Sequence, residues 1–221
     1  MLPFAGVAGR PTRRYERQAE REGFQRVAGA DEVGRGALFG PVVAAAVILD
    51  PARCLPGLND SKKLTAKKRF TLAERIRARA LAWAVAEVWP ERIDAWNIYQ
   101  ASRQAMEQAL AQLAPAADCV LSDAMPLRLP VPCRALVRGD ARSVSIAAAS
   151  IVAKVHRDAL LERFDREFPG YGLAHHKGYA TREHLDALER RGPTPLHRKS
   201  FAPVRALLAE LRAAEQTPLP F

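Results

Sequence analysis

The sequence predicts an α/β protein. Three observations carry that prediction. Runs of strand length rich in Val, Ala and Ile fall at residues 27–32, 41–49, 83–89, 119–122 and 134–137. Between and after them, residues 65–81, 97–113 and 144–168 repeat apolar side chains at helical spacing. Breakers sit at the joints, where Asp50-Pro51, Pro90, Pro115 and Pro169-Gly170 close individual segments. A chain of 221 residues is long enough for one sizeable core.

In chain order, residues 1–26 carry Arg10, Arg13, Arg14, Arg17, Arg21 and Arg26 with no apolar stretch of signal-peptide type. They read as a loosely ordered basic arm. Residues 27–32 make a first strand and 41–49 a second, buried on both faces, with an interval short enough for a hairpin. A loop leads to Thr65, which caps a helix reaching about Leu81 with Phe70, Ala73, Ile76 and Ala80 on one stripe. Residues 83–89 suit a third strand. A second helix, 97–113, turns Ile98, Ala101, Ala105, Ala109 and Leu113 inward and, lacking clustered acids or histidines, is scaffold. Residues 119–122 and 134–137 are short strands that end in Asp123 and in Arg138-Gly139-Asp140. Ser143 or Ser145 caps a long helix, 144–168, whose Ala147, Ala148, Ala149 and Ser150 permit close packing on a sheet. An aromatic and basic loop follows with Tyr171, His175, His176, Lys177 and Tyr179. Thr181 caps a helix to Arg191, and Pro203 opens a last one with Val204, Leu207, Leu208 and Leu211 inward. Residues 27–215 therefore read as a single domain with a small helical appendage from about residue 170, and 216–221 as a frayed tail.

Charge narrows the function. Thirty-four Lys and Arg against 24 Asp and Glu give a formal charge of +10, which favours polyanionic partners, nucleic acid above all. Cys54, Cys119 and Cys133 are odd in number and show no Cys-x-x-Cys spacing, which argues against a disulfide framework or a zinc site and fits a reducing cytoplasm. No stretch approaches the roughly 20 apolar residues of a membrane span.

The most informative stretch is Gly29-Ala30-Asp31-Glu32-Val33-Gly34-Arg35-Gly36. An adjacent acid pair needs a cation or solvent. Gly34 and Gly36 let the backbone bend and a ligand approach it, and Arg35 offers a planar fork to a phosphate. Taken alone, the stretch is also compatible with a surface turn. Asp123 at a strand's carboxyl end is well placed for function or, equally, for a turn. Asp140, just before a helix, is free to face a site, whereas Asp158 at i+4 from Lys154 suits an intrahelical ion pair. Lys62 and Lys63 precede a helix and can contact phosphate or simply be solvated.

Four blocks occur together and in order: Asp31-Glu32-Val33-Gly34-Arg35-Gly36, Asn59-Asp60-Ser61-Lys62-Lys63-Leu64, residues 148–155, and His176-Lys177-Gly178-Tyr179. In these the sequence resembles the ribonuclease HII family over most of residues 27–210. The resemblance implies an RNase H-like mixed β-sheet flanked by helices, with a small C-terminal helical region. It implies endonucleolytic hydrolysis of the RNA strand of RNA–DNA hybrids and incision at ribonucleotides embedded in duplex DNA, leaving 5′-phosphate and 3′-hydroxyl ends. Asp31, Glu32, Asp123 and Asp140 match the family's acids. Oxygen ligands of this kind suit a hard ion, so the expected cofactor is Mg²⁺ or Mn²⁺, two ions with substrate bound. Gly34, Arg35 and Gly36 match the motif whose backbone contacts the 2′-hydroxyl, and Tyr179 the tyrosine that stacks at the RNA–DNA junction. Lys62, Lys63, Arg198 and Lys199 are expected to hold phosphates. Ala124 stands where many relatives carry Gly after the aspartate.

Two rival functions share these features: another RNase H-like nuclease acting on DNA, and a non-catalytic hybrid-binding protein. The first has no use for a 2′-hydroxyl sensor, the second none for mutually repelling acids near phosphate. The expected partner is nucleic acid, with no membrane. Nothing in the sequence requires more than a monomer or points to a protein partner.

Overall fold

The computed structural model describes residues 10–53 and 55–215. The first nine residues of the basic arm, Cys54 and the expected tail at 216–221 lie outside them.

Five strands form one sheet: β1 (Val27–Val33), β2 (Val42–Ile48), β3 (Ala82–Val88), β4 (Cys119–Asp123) and β5 (Cys133–Leu136), in the order β3-β2-β1-β4-β5. β1 pairs antiparallel with β2 and parallel with β4, and β4 runs parallel to β5, so the sheet is mixed. Every residue of β2 is buried, as its unbroken Val-Val-Ala-Ala-Ala-Val-Ile run requires of an inner strand covered on both faces. The helices are α1 (Arg14–Arg21), α2 (Ala66–Arg79), α3 (Pro90–Trp96), α4 (Ile98–Ala111), α5 (Val144–Glu167), α6 (Leu173–His176), α7 (Arg182–Arg191) and α8 (Ala202–Glu215). Among the described residues no helix is long and apolar enough to cross a membrane.

The chain divides into two compact units. The first comprises Met1–Val33, Val43–Glu87 and Ser102–His156 and contains the sheet apart from Val42 and Val88. Its helix–sheet contact is close because Gly29 of β1 has no Cβ: one built there would collide with the backbone of Ser145 and Ile146 at the start of α5. Val27, Cys119, Leu121 and Ile146 are buried in a cluster there, joined by Ala19 of α1. The second unit comprises Gly34–Val42, Val88–Ala101 and Arg157–Phe221. It is larger than the expected appendage because it takes in two earlier segments. Phe39 from the first of them packs with Leu161, Phe164, Tyr171 and Leu173, and Leu38 with Leu188 and Val204.

Several expectations need correction. The basic arm is helical over Arg14–Arg21, since Ala19 is buried in the core and Glu16 has partners at the start of α5: its Oε1 accepts from Ser143 Oγ at 2.5 Å and from Ser145 N at 3.0 Å. Pro90 does not merely end a strand; it opens α3, where its missing N–H costs nothing. Phe70 and Leu211 are 59% and 43% exposed, and on α2 it is Leu72, with Ala73 and Ile76, that turns inward. The remaining caps follow the sequence: Thr65 accepts from Lys68 N, Ser143 from Ile146 N and Thr181 from His184 N.

Candidate active site

Alternation along β1 turns Asp31 inward, 6% exposed, and leaves Glu32 half-buried. In the parallel pairing with β4, Ala30 lies opposite Ser122, so Asp31 and Asp123 emerge side by side at the carboxyl ends of two adjacent strands. Asp123 is held by the loop after β5, its Oδ1 accepting from Gly139 N at 2.6 Å. That grip needs a glycine, because a Cβ on residue 139 would lie 2.5 Å from Ile146 Cδ1 and 3.3 Å from the Asp123 carboxylate. Asp140 follows in a single 3-10 turn, Gly139–Ala141, entered through Arg138 in left-handed backbone at φ 55°.

The four acids of the sequence reading are thus brought within electrostatic range of one another. Burial, then the charges of Glu32, Asp123 and Asp140, push the Asp31 carboxyl well above its ordinary range, against a side-chain hydrogen bond from Ser150. Asp140 is raised by burial and by Asp123 and Asp60, with Lys62 pulling the other way. Carboxylates gathered in this way repel one another, and a bound cation would offset that repulsion. The donors are all hard oxygens, the set that suits a divalent ion of the Mg²⁺ kind.

The Asn59-Asp60-Ser61-Lys62-Lys63 block folds as one 3-10 turn, Ser61–Lys63, capped by Asp60, whose Oδ1 accepts from Lys62 N at 2.9 Å. Lys62 and Lys63 are exposed, and Lys62 acts electrostatically on Asp140. Ser61 is buried and its hydroxyl meets that of Ser150 at 2.8 Å, so a line of hydroxyls runs from this block to Asp31. The sequence reading passed over both serines as site residues; a lone hydroxyl inside the Ala-rich face of the long helix was the signal that could have found Ser150.

Within the second unit, the Gly34-Arg35-Gly36 loop lies beside Tyr179. Ala37 and Tyr179 form an isolated antiparallel bridge, Leu38 N donates to Gly178 O at 2.8 Å, and a Cβ on residue 36 would sit 4.0 Å from the Tyr179 ring. Gly34 has φ +89°, and a Cβ there would fall inside the Arg157 side chain. The ring of Tyr179 is 37% exposed, with the Arg157 guanidinium 5.7 Å from its centroid.

Arg198 corrects the sequence reading. It is fully buried; its Nε and Nη2 donate to Gly40 O at 3.0 and 2.9 Å, and Nη1 donates to Arg35 O at 2.8 Å. Its donors therefore tie down the loop after β1 and are not offered to a phosphate. Arg157, also buried, does the same through Pro41 O, Lys177 O and Phe39 O. Lys199, by contrast, offers its backbone N–H to Asp94 at 2.9 Å.

The arrangement is that of a known fold. The ribonuclease H2 of Pyrococcus horikoshii OT3 superposes with a TM-score of 0.73 at 24% identity, covering 85% of this chain and 99% of that one. A Bst ribonuclease HIII solved in complex with Mn²⁺ gives 0.69 at 23% identity over 88% of this chain and 73% of its own. The mixed sheet thus places the protein in the RNase H-fold class. Within that class the ribonuclease HII family model matches residues 28–204. A ribonuclease HII of Solibacter usitatus (strain Ellin6076) is 59% identical over 191 residues, 86% of this chain and 84% of the relative. The chain belongs to the ribonuclease HII family, whose members cleave the RNA of RNA–DNA hybrids.

Proposed function

We propose that the protein incises duplex DNA at embedded ribonucleotides as well as hydrolysing the RNA strand of hybrids, leaving 5′-phosphate and 3′-hydroxyl ends. The observation that supports this reading best is the buried Asp31 carboxyl, surrounded by Glu32, Asp123 and Asp140. These four would hold two divalent ions, Mg²⁺ or Mn²⁺. Such ions, when bound, supply an activated water and offset charge on the leaving 3′ oxygen. The chain's own part is to hold the carboxylates at fixed spacing: Gly139 N grips Asp123, and Ser150 hydrogen-bonds Asp31. Lys62 and Lys63 are exposed cations suited to backbone phosphate and read no sequence.

We assign reading of the 2′-hydroxyl to Gly34, Arg35 and Gly36, with Tyr179 stacking on the sugar or base beside it. The buried arginines support this assignment, since Arg198 fixes the Arg35 carbonyl within the loop, the two together fix those of Phe39, Gly40 and Pro41 just after it, and Tyr179 is left partly exposed. The reading makes nucleic acid the partner, needs one copy of the chain, and suits a reducing cytoplasm, where the free thiols of Cys119 and Cys133 persist.

The test is a DNA duplex with one ribonucleotide, incubated with Mg²⁺ or Mn²⁺ beside an all-DNA duplex and an Asp31→Asn control. Incision on the 5′ side of the ribonucleotide, lost in the control, is expected. Equal cleavage of the all-DNA duplex would make the protein a DNA nuclease; tight binding without incision under either metal would make it a hybrid-binding protein.

A further inference from the structure

Three buried histidines, His176, His184 and His197, occupy the second unit, and their hydrogen bonds fix every ring's tautomer. The backbone N–H of Thr194 can only donate, and it does so to His197 Nδ1 at 2.9 Å. In a neutral ring the proton of His197 then sits on Nε2, which meets His184 Nε2 at 3.2 Å. His184 must accept there, so its own proton sits on Nδ1, which donates to the carbonyl of Tyr179 at 2.9 Å. A carbonyl can only accept, so the far end of the line demands the same tautomer as the near end. Two independent constraints agree.

The surroundings favour the neutral rings. His176 stacks on His184 at 4.4 Å and is itself fixed, accepting from Gly178 N through Nδ1 and donating through Nε2 to Tyr171 O. Phe39 meets His197 edge-on at 5.0 Å, and the Tyr171 ring lies 5.3 Å away. The acid that acts on His184 is Glu183, which is itself engaged by the exposed His175. Burial and the neighbouring ring hold His197 down to about 3, and burial lowers His184 as well. A proton added to His184 Nε2 would set donor against donor and break the line.

We propose that His184 and His197 are positioning residues for Tyr179: a relay of fixed tautomers, from Thr194 N–H to the Tyr179 carbonyl, that holds the stacking aromatic in place while both rings are neutral. The proposal rests on the reading that Tyr179 contacts the ribonucleotide. What it adds is a second reason for the sequence His184 to His197: the rings act on substrate through the backbone of residue 179.

The test has two arms. In wild-type protein labelled with ¹⁵N, the relay requires Nδ1–H on His184, Nε2–H on His197 and a coupling across the hydrogen bond joining their Nε2 atoms at neutral pH. A charged ring, or Nε2–H on His184, would overturn it. In the second arm, incision of the single-ribonucleotide duplex is measured for Tyr179→Ala, His184→Phe, His184→Asn and the Tyr179→Ala/His184→Phe pair. His184→Phe is expected to lower kcat/KM on the order of tenfold, the loss of one hydrogen bond's worth of positioning. His184→Asn, which keeps a donor near Nδ1, should recover part of it, and the double variant should be no worse than Tyr179→Ala. Additive losses, or a folded His184→Phe with full activity, would overturn the relay alone. Unchanged incision by Tyr179→Ala would overturn the reading of Tyr179 and the relay with it.

Discussion

Ala124 sits at φ 51°, in the left-handed region, directly after Asp123. A Cβ there crowds the following carbonyl, at a cost of roughly 1–2 kcal/mol, and only part of that is returned by the stiffer unfolded chain. The conformation is kept because Ala124 N donates to Leu136 O at 3.0 Å, closing the ladder between β4 and β5 beside the aspartate. Replacing Ala124 with Gly should therefore stabilise the protein by up to about 1 kcal/mol. A urea-unfolding midpoint at unchanged slope would measure it, and a lower midpoint would show that the left-handed turn carries no strain. Gly34 and Gly139 are the opposite case. At each a Cβ would meet a side chain at under 3.0 Å, and at Gly34 the positive φ adds strain, so Ala is disfavoured at both and more so at Gly34.

Among the elements, α1 and α5 depend on one carboxylate. Glu16 of α1 is 3% exposed, and its Oε1 accepts from Ser143 Oγ and Ser145 N where α5 begins. An anion at a helix N-terminus satisfies otherwise orphaned donors and opposes the helix dipole. Thr12 N adds a backbone bond to Arg142 O at 3.1 Å. Glu16→Ala should cost about 1–2 kcal/mol, the usual loss for a helix cap. It should also expose the amides of residues 14–21 to hydrogen exchange. Wild-type protection of those amides in the variant would show that α1 is held without the Glu16 carboxylate.

For the whole molecule, the acid cluster sets how stability depends on pH. Asp31 is raised in the folded protein above its unfolded value of about 3.9. The folded state therefore binds the proton more tightly, so this contribution is fully present below the unfolded value and is lost as pH rises through the folded one. Without divalent ions, wild-type protein should lose stability relative to Asp31→Asn as the pH climbs through that range. Adding Mg²⁺ should close the gap, because an ion that binds only the folded acids stabilises by mass action. Unfolding midpoints for both proteins in chelator and in Mg²⁺, across that range, check this. His197 works in the other direction: held down to about 3 when folded, its contribution is complete above the unfolded value of about 6.5 and fades as pH falls toward 3. Taking the difference between wild type and Asp31→Asn cancels it.

The alternation of apolar runs and helical periods by itself determined the α/β class, the five strands to within a residue or two, and the Thr65 and Thr181 caps, and left the cap of α5 between Ser143 and Ser145, because these depend on neighbours a few positions apart. It also made Asp31, Glu32, Asp123 and Asp140 candidates, through the strand ends and the pre-helical loop, but alone they were equally compatible with turns, and the resemblance to the ribonuclease HII family joined the four into one set. It missed α1, α3 and α6, whose short spans are held by partners distant in the chain, such as Glu16 at Ser145, or begin at a proline that looked like a stop. It took Arg198 for a phosphate contact, because a guanidinium beside His197 and Lys199 looks the same in sequence whether solvated or buried. Only the tertiary structure decided that Arg157 and Arg198 spend their donors on loop carbonyls, that Ser61 reaches Asp31 through Ser150, and that three histidines hold single tautomers behind Tyr179. Each of those facts depends on which distant donor meets which acceptor once water has been excluded, and that pairing is fixed only by the folded chain.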